Sequence, residues 1–393
     1  MTTPPQPVEQ NPGRESKAPT QPPAAEPAAS VPGISPDDLV SRPKAVWQRI
    51  AWAKIALFLF SLLLFILALM LMKEGAKGLA PYLDGRGIIG NAANSLGFGW
   101  LFAYAVMSGS PVAASALTFL DAGILNQAQA FTMISGSRLG SSLIVLIIGF
   151  LYVLRGRDRA TSLGAGLLSF TVTGTLHMGV LLFGLVVLRN PRLQIVPSGE
   201  GMLLNGLTGA FLDPIVALAA ARLPPWALFL AGLLIILGSF SLFDRCLPQM
   251  TLQESQFSRV ARLVYKPMVM FLLGCAITLL SMSVSVSLTL LVPLSQRGFV
   301  RRENFVPYIM GANVTTFIDT LFAAFMLSNP AAVTVVVTQM IGVSLTSAVI
   351  LLFFFRGYER LLLVFSAWVT ASNRHIIYFM VIIITVPILL VLL

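Results

Sequence analysis

From Ala51 to Leu393 the chain returns again and again to apolar runs of about 20 residues, joined by short polar or basic links. A helix needs about that many residues to cross roughly 30 Å of hydrocarbon, so the runs predict an all-α integral membrane protein. Only 11% of residues are charged and 56% are hydrophobic, against about 25% charged in ordinary soluble domains. After the first run, Ala51 to Met72, apolar segments follow at about 97–120, 130–154, 163–188, 201–221, 226–243, 267–294, 305–327, 332–355 and 361–393. The last is long enough to contain a break, for which Asn373, Arg374 and His375 are the natural place. Roughly nine to eleven membrane segments are expected.

Residues 1–45 hold eleven of the 24 prolines and no apolar period, which reads as a disordered tail. Residues 46–96 then carry the first transmembrane helix, a signal anchor, and its loop. Lys44, Arg49 and Lys54 flank that helix on its N-terminal side, so the positive-inside rule places the tail in the cytoplasm of a multi-pass protein of the cell membrane. The formal charge of +10 does not point to nucleic acid, because the basic residues cluster in short links where they meet anionic headgroups. Three links are basic: Arg155, Arg157 and Arg159; Arg259, Arg262 and Lys266; Arg297, Arg301 and Arg302. A strict zigzag cannot put all three on one side, so some segments are expected to be re-entrant. Two cysteines, Cys246 and Cys275, supply no disulfide framework and no CxxC metal site.

The sequence also repeats itself. Met107-Ser108-Gly109-Ser110 recurs as Met282-Ser283-Val284-Ser285, a shift of 175 residues, and the same shift carries Gly123 to Gly298, Ile134 to Ile309 and Gly136 to Gly311. The matches fall on Ser and Gly rather than on the abundant Leu and Ala. Two repeats follow, 97–188 and 267–355, linked by membrane segments and a loop in 189–266 and closed by a C-terminal portion, 356–393. Five apolar segments separate the two starts. An odd count makes the repeats inverted, an arrangement that puts substrate near the bilayer midplane at their interface, provided neither unit contains a re-entrant hairpin.

Each repeat resembles the conserved unit of the type II sodium-dependent phosphate cotransporter family, in which Gln-Ser-Ser-Ser is followed about 25 residues later by Gly-Ala-Asn-Ile-Gly-Thr-Thr. The second repeat here reads Met282-Ser283-Val284-Ser285 and then Gly311-Ala312-Asn313-Val314-Thr315-Thr316. The first reads Met107-Ser108-Gly109-Ser110 and then Gly136-Ser137-Arg138-Leu139-Gly140-Ser141-Ser142. The resemblance implies a secondary transporter that moves inorganic phosphate, or a related small anion, with sodium. Four positions depart from the family pattern. Met107 and Met282 replace the family's Gln, Arg138 stands at its Asn in the first repeat, and in the second Thr315 replaces the Gly before the paired threonines.

The residue chemistry fits such a transporter independently. The hydroxyls of Ser108, Ser110, Ser137, Ser141, Ser283, Ser285, Thr315 and Thr316, with the amide of Asn313, can coordinate a hard cation or donate to an oxyanion. Gly136 and Gly311 free backbone groups at broken helix ends. The alternative for each serine is close helix packing with a bond to its own backbone. Arg138, inside an apolar stretch, costs about 2.5–3.5 kcal/mol at mid-bilayer on insertion scales unless it faces protein or water. It therefore reads as an anion ligand that supplies the charge of a bound sodium, or as an interfacial arginine reaching headgroups. Asp319 can pair with Arg138 across the repeats or ligate a cation. Asp213 reads as a helix cap before Pro214 or a proton relay, and His177 as a packing residue or a proton carrier. No GxSxG, HExxH or P-loop motif is present, so neither an intramembrane enzyme nor a nucleotide-driven pump is expected. The alternatives to transport are an intramembrane enzyme acting on lipid or on a membrane peptide, without a recognised motif, and a regulatory membrane protein. No cofactor is expected beyond the coupling ion.

Overall fold

In hydrocarbon every backbone N–H and C=O must find its partner within the segment, so even the Val- and Ile-rich runs of this chain wind into helices. The computed structural model describes residues 52–83, 89–156, 159–190, 192, 202–246, 266–289 and 301–393. The proline-rich tail 1–45 expected to be disordered, much of the basic links, and Gly298 lie outside them. Among the described residues the secondary structure is helical, without strands. In chain order the helices are α1 (Trp52–Leu83), α2 (Ala92–Val106), α3 (Ser110–Asp121), α4 (Gln127–Ser141), α5 (Leu143–Leu154), α6 (Arg159–Arg189), α7 (Met202–Arg222) and α8 (Pro225–Cys246). They continue as α9 (Pro267–Ser281), α10 (Val284–Thr289), α11 (Phe305–Thr315), α12 (Ile318–Met326), α13 (Pro330–Val349), α14 (Phe355–Ala371) and α15 (Asn373–Leu392).

This is an all-α membrane protein, with seven helical stretches among the described residues long and apolar enough to cross a bilayer. The figure is below the nine to eleven read from hydropathy: α7, over the run at 201–221, is not among the seven, and two physical reasons account for the rest. The runs at 97–120 and 267–294 are each broken, α2 from α3 and α9 from α10. The runs at 332–355 and 361–371 are in turn joined, because a π-helical turn at Ile350–Phe354 carries α13 into α14. Arg356 and Arg360, which fall between those two runs, sit on that continuous helix and are exposed, as long basic side chains on a membrane helix can be. The expected break before Asn373 is present: Ser372 has extended backbone and caps α15 through Arg374 N.

Both breaks are made the same way. Met107 ends α2 with φ 54°, and Met282 ends α9 with φ 48°, left-handed backbone that costs a residue with a Cβ roughly 1–2 kcal/mol. Past each break the chain turns and a later helix returns to cross the one before it. Gly136 of α4 lies against the Leu96 carbonyl and Gly140 against the Trp100 carbonyl of α2, both closer than any Cβ could sit. The register advances together on both helices, so α2 and α4 are parallel and α3 must double back between them. The same crossing recurs 175 residues on. Gly311 meets the Phe271 carbonyl, and Thr315 Oγ1 donates to the Cys275 carbonyl at 3.0 Å, so α9 and α11 are parallel too. Gly99 against Met133 and Gly274 against Tyr308 complete the two crossings. Small residues at such crossings let backbones approach where lipid offers no hydrophobic drive.

Two further directions matter. Helices α3 and α12 run side by side in the same sense. Arg138 bridges Ser110 to Thr316 at their starts, and Lys73 bridges Asp121 (2.9 Å) to the Leu327 carbonyl (3.4 Å) at their ends. Helices α6 and α13 are antiparallel: Gly179 meets Thr346, while Phe183 meets Gly342.

Candidate functional site

Three helix ends converge on Arg138. The guanidinium lies in the last turn of α4, Ser110 is the first residue of α3, and Thr316, Phe317, Asp319 and Thr320 form the α11–α12 link and the first turn of α12. Each charge stands where the helix dipole favours it, the cation at a C-terminus and the carboxylate at an N-terminus. Both are buried, with side chains 4% and 2% exposed.

The guanidinium is held by oxygen on several sides. Nη1 donates to Thr316 Oγ1 at 3.1 Å and to Ser110 Oγ at 3.4 Å, and Nη2 donates to Thr320 Oγ1 at 2.7 Å. Thr320 Oγ1 in turn donates to Asp319 Oδ1 at 2.9 Å, and the Thr320 backbone N–H donates to the same oxygen. The direct Arg138–Asp319 separation is 3.9 Å, so the Thr320 hydroxyl carries much of the link between the two charges. The Phe317 ring lies 4.6 Å from the guanidinium carbon and closes one face by a cation–π contact. Two polar atoms are left over. Arg138 Nε and Asp319 Oδ2 are buried and have no hydrogen-bond partner among the described residues. A buried unsatisfied group in a native structure calls for a water, an ion or a functional role.

His177 stands behind Phe317, ring centroids 6.3 Å apart. Its Nδ1 is 2.9 Å from the Thr173 carbonyl, which can only accept, so the neutral ring is assigned the tautomer with its proton on Nδ1. Its Nε2 is also buried without a partner among the described residues. Asn313 links the same turn of α6 to α11 by donating to Thr173 Oγ1 at 3.2 Å and to the Ile309 carbonyl at 2.8 Å.

The residues singled out from sequence thus fall into three groups. Ser110, Arg138, Thr316 and Asp319 come together in one cluster, where Arg138 is buried in protein instead of reaching headgroups. Ser137, Ser141 and Thr315 donate to the carbonyls of Ile134, Arg138 and Cys275, and Asn313 also bonds its own helix, while Gly136 and Gly311 make the two helix crossings. Ser108 and Ser283 sit in the breaks after α2 and α9, partly exposed, with the Ser283 carbonyl accepting from Ser281 Oγ; the Ser285 side chain lies outside the described residues. Asp213 is not a cap, since α7 runs through Pro214 unbroken. It lines, with Lys73, Glu74 and Lys77, a cavity of about 350 Å³ beside α1. Sequence reading passed over Thr320 and Phe317. The signal for Thr320 was present: Thr316, Asp319 and Thr320 are spaced i, i+3, i+4, which puts them on one helix face.

Compared with known proteins, the chain matches no family model, no curated protein and no solved structure.

Proposed function

We propose that the chain is a secondary active transporter of a small oxyanion, built as two inverted repeats, with Arg138 as the group that meets the anion. The observation that carries the reading is a buried guanidinium, its Nε–H unspent, at the meeting point of helix ends inside a membrane protein. Intramembrane charges of this kind mark substrate and ion pathways. A planar fork of five N–H donors suits the oxygens of a tetrahedral oxyanion.

The duplication reading draws support from the paired crossings. Helix α5 continues α4 through Ser142, whose φ is −67° and ψ −18°, and so runs against α3. Helix α12, 175 residues beyond α5, runs with α3. Helices α6 and α13, offset by the same interval, are antiparallel. Both comparisons favour repeats of opposite orientation, which the hydropathy count reached by a parity argument that the doubled-back α3 no longer sustains. Arg138 belongs to one repeat and Asp319 to the other, so their link spans an interface that rocking between inward-open and outward-open states would strain or part.

In the empty state Asp319 neutralises Arg138. An arriving anion takes over the guanidinium, the hydroxyls of Ser110, Thr316 and Thr320 rotate to donate to it, and the carboxylate is displaced. Phosphate is the substrate that the sequence resemblance supplies. The test is uptake of labelled phosphate into proteoliposomes under an inward sodium gradient, a proton gradient or neither. Gradient-driven uptake that Arg138→Gln abolishes is expected; uptake undiminished in that variant refutes the role given to Arg138, and absence of uptake under every gradient refutes phosphate.

A further inference from the structure

We infer that the Arg138 guanidinium occupies a monovalent-cation seat made of Ser110 Oγ, Thr316 Oγ1, Thr320 Oγ1 and the Asp319 carboxylate, so that the chain carries its own cation and takes no sodium there. The inference rests on the transport reading for its meaning, because it removes sodium at this seat from the coupling scheme that the resemblance implies.

The argument begins with the ligand types. The guanidinium donates to three hydroxyl oxygens, and the nearest charge is a carboxylate oxygen at 3.9 Å; hydroxyls with a carboxylate are the oxygen ligand set of a hard cation. The hydroxyls come from two helix beginnings, Ser110 from α3 and Thr316 and Thr320 from α12 and the link before it, and the carboxylate brings one negative charge, balanced by one positive charge on the guanidinium. Thr320 shows the polarity: its proton points to Asp319 and its lone pairs to Arg138. That is the orientation a metal cation would require of it. The carboxylate has an acceptor to spare, since Oδ2 is buried and unpartnered among the described residues. A sodium ion added beside the guanidinium would nevertheless stand against a like charge in a buried site, with Phe317 covering one face. With the guanidinium removed, the same oxygens would surround an uncompensated carboxylate, and sodium would neutralise it.

The experiment measures cation binding rather than transport, on the full chain purified in detergent without phosphate. Thermal unfolding is followed in sodium chloride and in choline chloride, alongside equilibrium binding of radioactive sodium. The original protein is expected to show no sodium binding that Asp319→Asn removes. Arg138→Ser should unfold earlier in choline and recover in sodium or in low millimolar guanidinium. A saturating ion at a hundred times its Kd raises the folded-to-unfolded ratio about a hundredfold, and that gain should vanish in Arg138→Ser/Asp319→Asn. Sodium binding to the original protein that depends on Asp319 overturns the inference, as does a folded Arg138→Ser that responds to neither sodium nor guanidinium. If Arg138→Ser does not fold, the comparison of the original protein with Asp319→Asn decides by itself. Failure of phosphate uptake alongside a cation result as expected would overturn the transport reading alone.

Discussion

Neutralising Asp319 should destabilise the protein more than neutralising both members of its pair would suggest. At the observed 3.9 Å and an effective dielectric constant of about 20, the charges attract by about 4 kcal/mol. Removing one partner of a buried pair costs about 3–5 kcal/mol, because the other is left uncompensated. Asp319→Asn and Arg138→Gln are therefore expected to cost about 3–4 kcal/mol each. The double variant retains the threonine hydroxyls and loses both charges, so it should cost about 2–3 kcal/mol less than the sum of the singles. The assay is a double-mutant cycle by reversible unfolding in mixed detergent micelles, with bilayer-reconstituted samples as a check. Additive losses, within about 0.5 kcal/mol as for independent sites, would refute the energetic link between the helix ends.

Three further expectations test the frame. Gly136→Ala and Gly311→Ala each place a Cβ inside a neighbouring carbonyl and should cost about 2–3 kcal/mol by overpacking, whereas Gly238→Ala, with nothing within 4 Å, should be neutral or slightly stabilising in the same unfolding assay. Met107→Val and Met282→Val should each lose about 1–2 kcal/mol, because a β-branched residue fits the left-handed region poorly; unchanged stability would show that the break does not need that backbone. Gly179→Cys with Thr346→Cys, in a background without Cys246 and Cys275, should form a disulfide on mild oxidation, since a Cβ at 179 lies 3.5 Å from that of Thr346, inside the usual disulfide range. Failure to cross-link would contradict the antiparallel α6–α13 packing.

Much of the fold was legible because hydropathy reports where helices run. It does not report where they break. In the run 97–120 the Ser108-Gly109-Ser110-Pro111 stretch is a turn signal, with Pro111 in the first turn of α3, but hydropathy averages over it, and Met107, the residue that adopts φ 54°, is itself apolar. The 175-residue shift was legible from Ser and Gly identities, and Gly99 with Gly274 obeys it as well, just outside the stretch where the motifs align. The role of the glycines was less legible. The same Gly reads as a flexible binding-loop residue or as a crossing point, and only the distance to the facing carbonyl distinguishes them. Serine presented the same ambiguity: Ser137, Ser141 and Ser142 satisfy helix carbonyls, whereas Ser110 accepts from Arg138. Arg138 was the exception, since an arginine in an apolar stretch has few ways to be accommodated.

The helix ends make a sharper demand than the pair alone. A salt bridge in a uniform medium would survive exchange of its members, so Arg138→Asp with Asp319→Arg would restore what either change removes. In this fold the exchange puts a carboxylate at the C-terminus of α4 and a guanidinium at the N-terminus of α12. Each favourable dipole interaction, worth about 0.3–1 kcal/mol and up to about 2 kcal/mol where partly buried, changes sign. Two such reversals amount to about 2–4 kcal/mol, roughly the attraction the exchanged pair would regain. The carboxylate at 138 is also too short to reach Ser110, Thr316 and Thr320 as the guanidinium does. The exchanged protein should therefore be no more stable than Arg138→Gln/Asp319→Asn in the same micelle unfolding assay. Stability restored to that of the original chain would mean that the pair, and not the placement of each charge on its own helix end, holds α4 against α12.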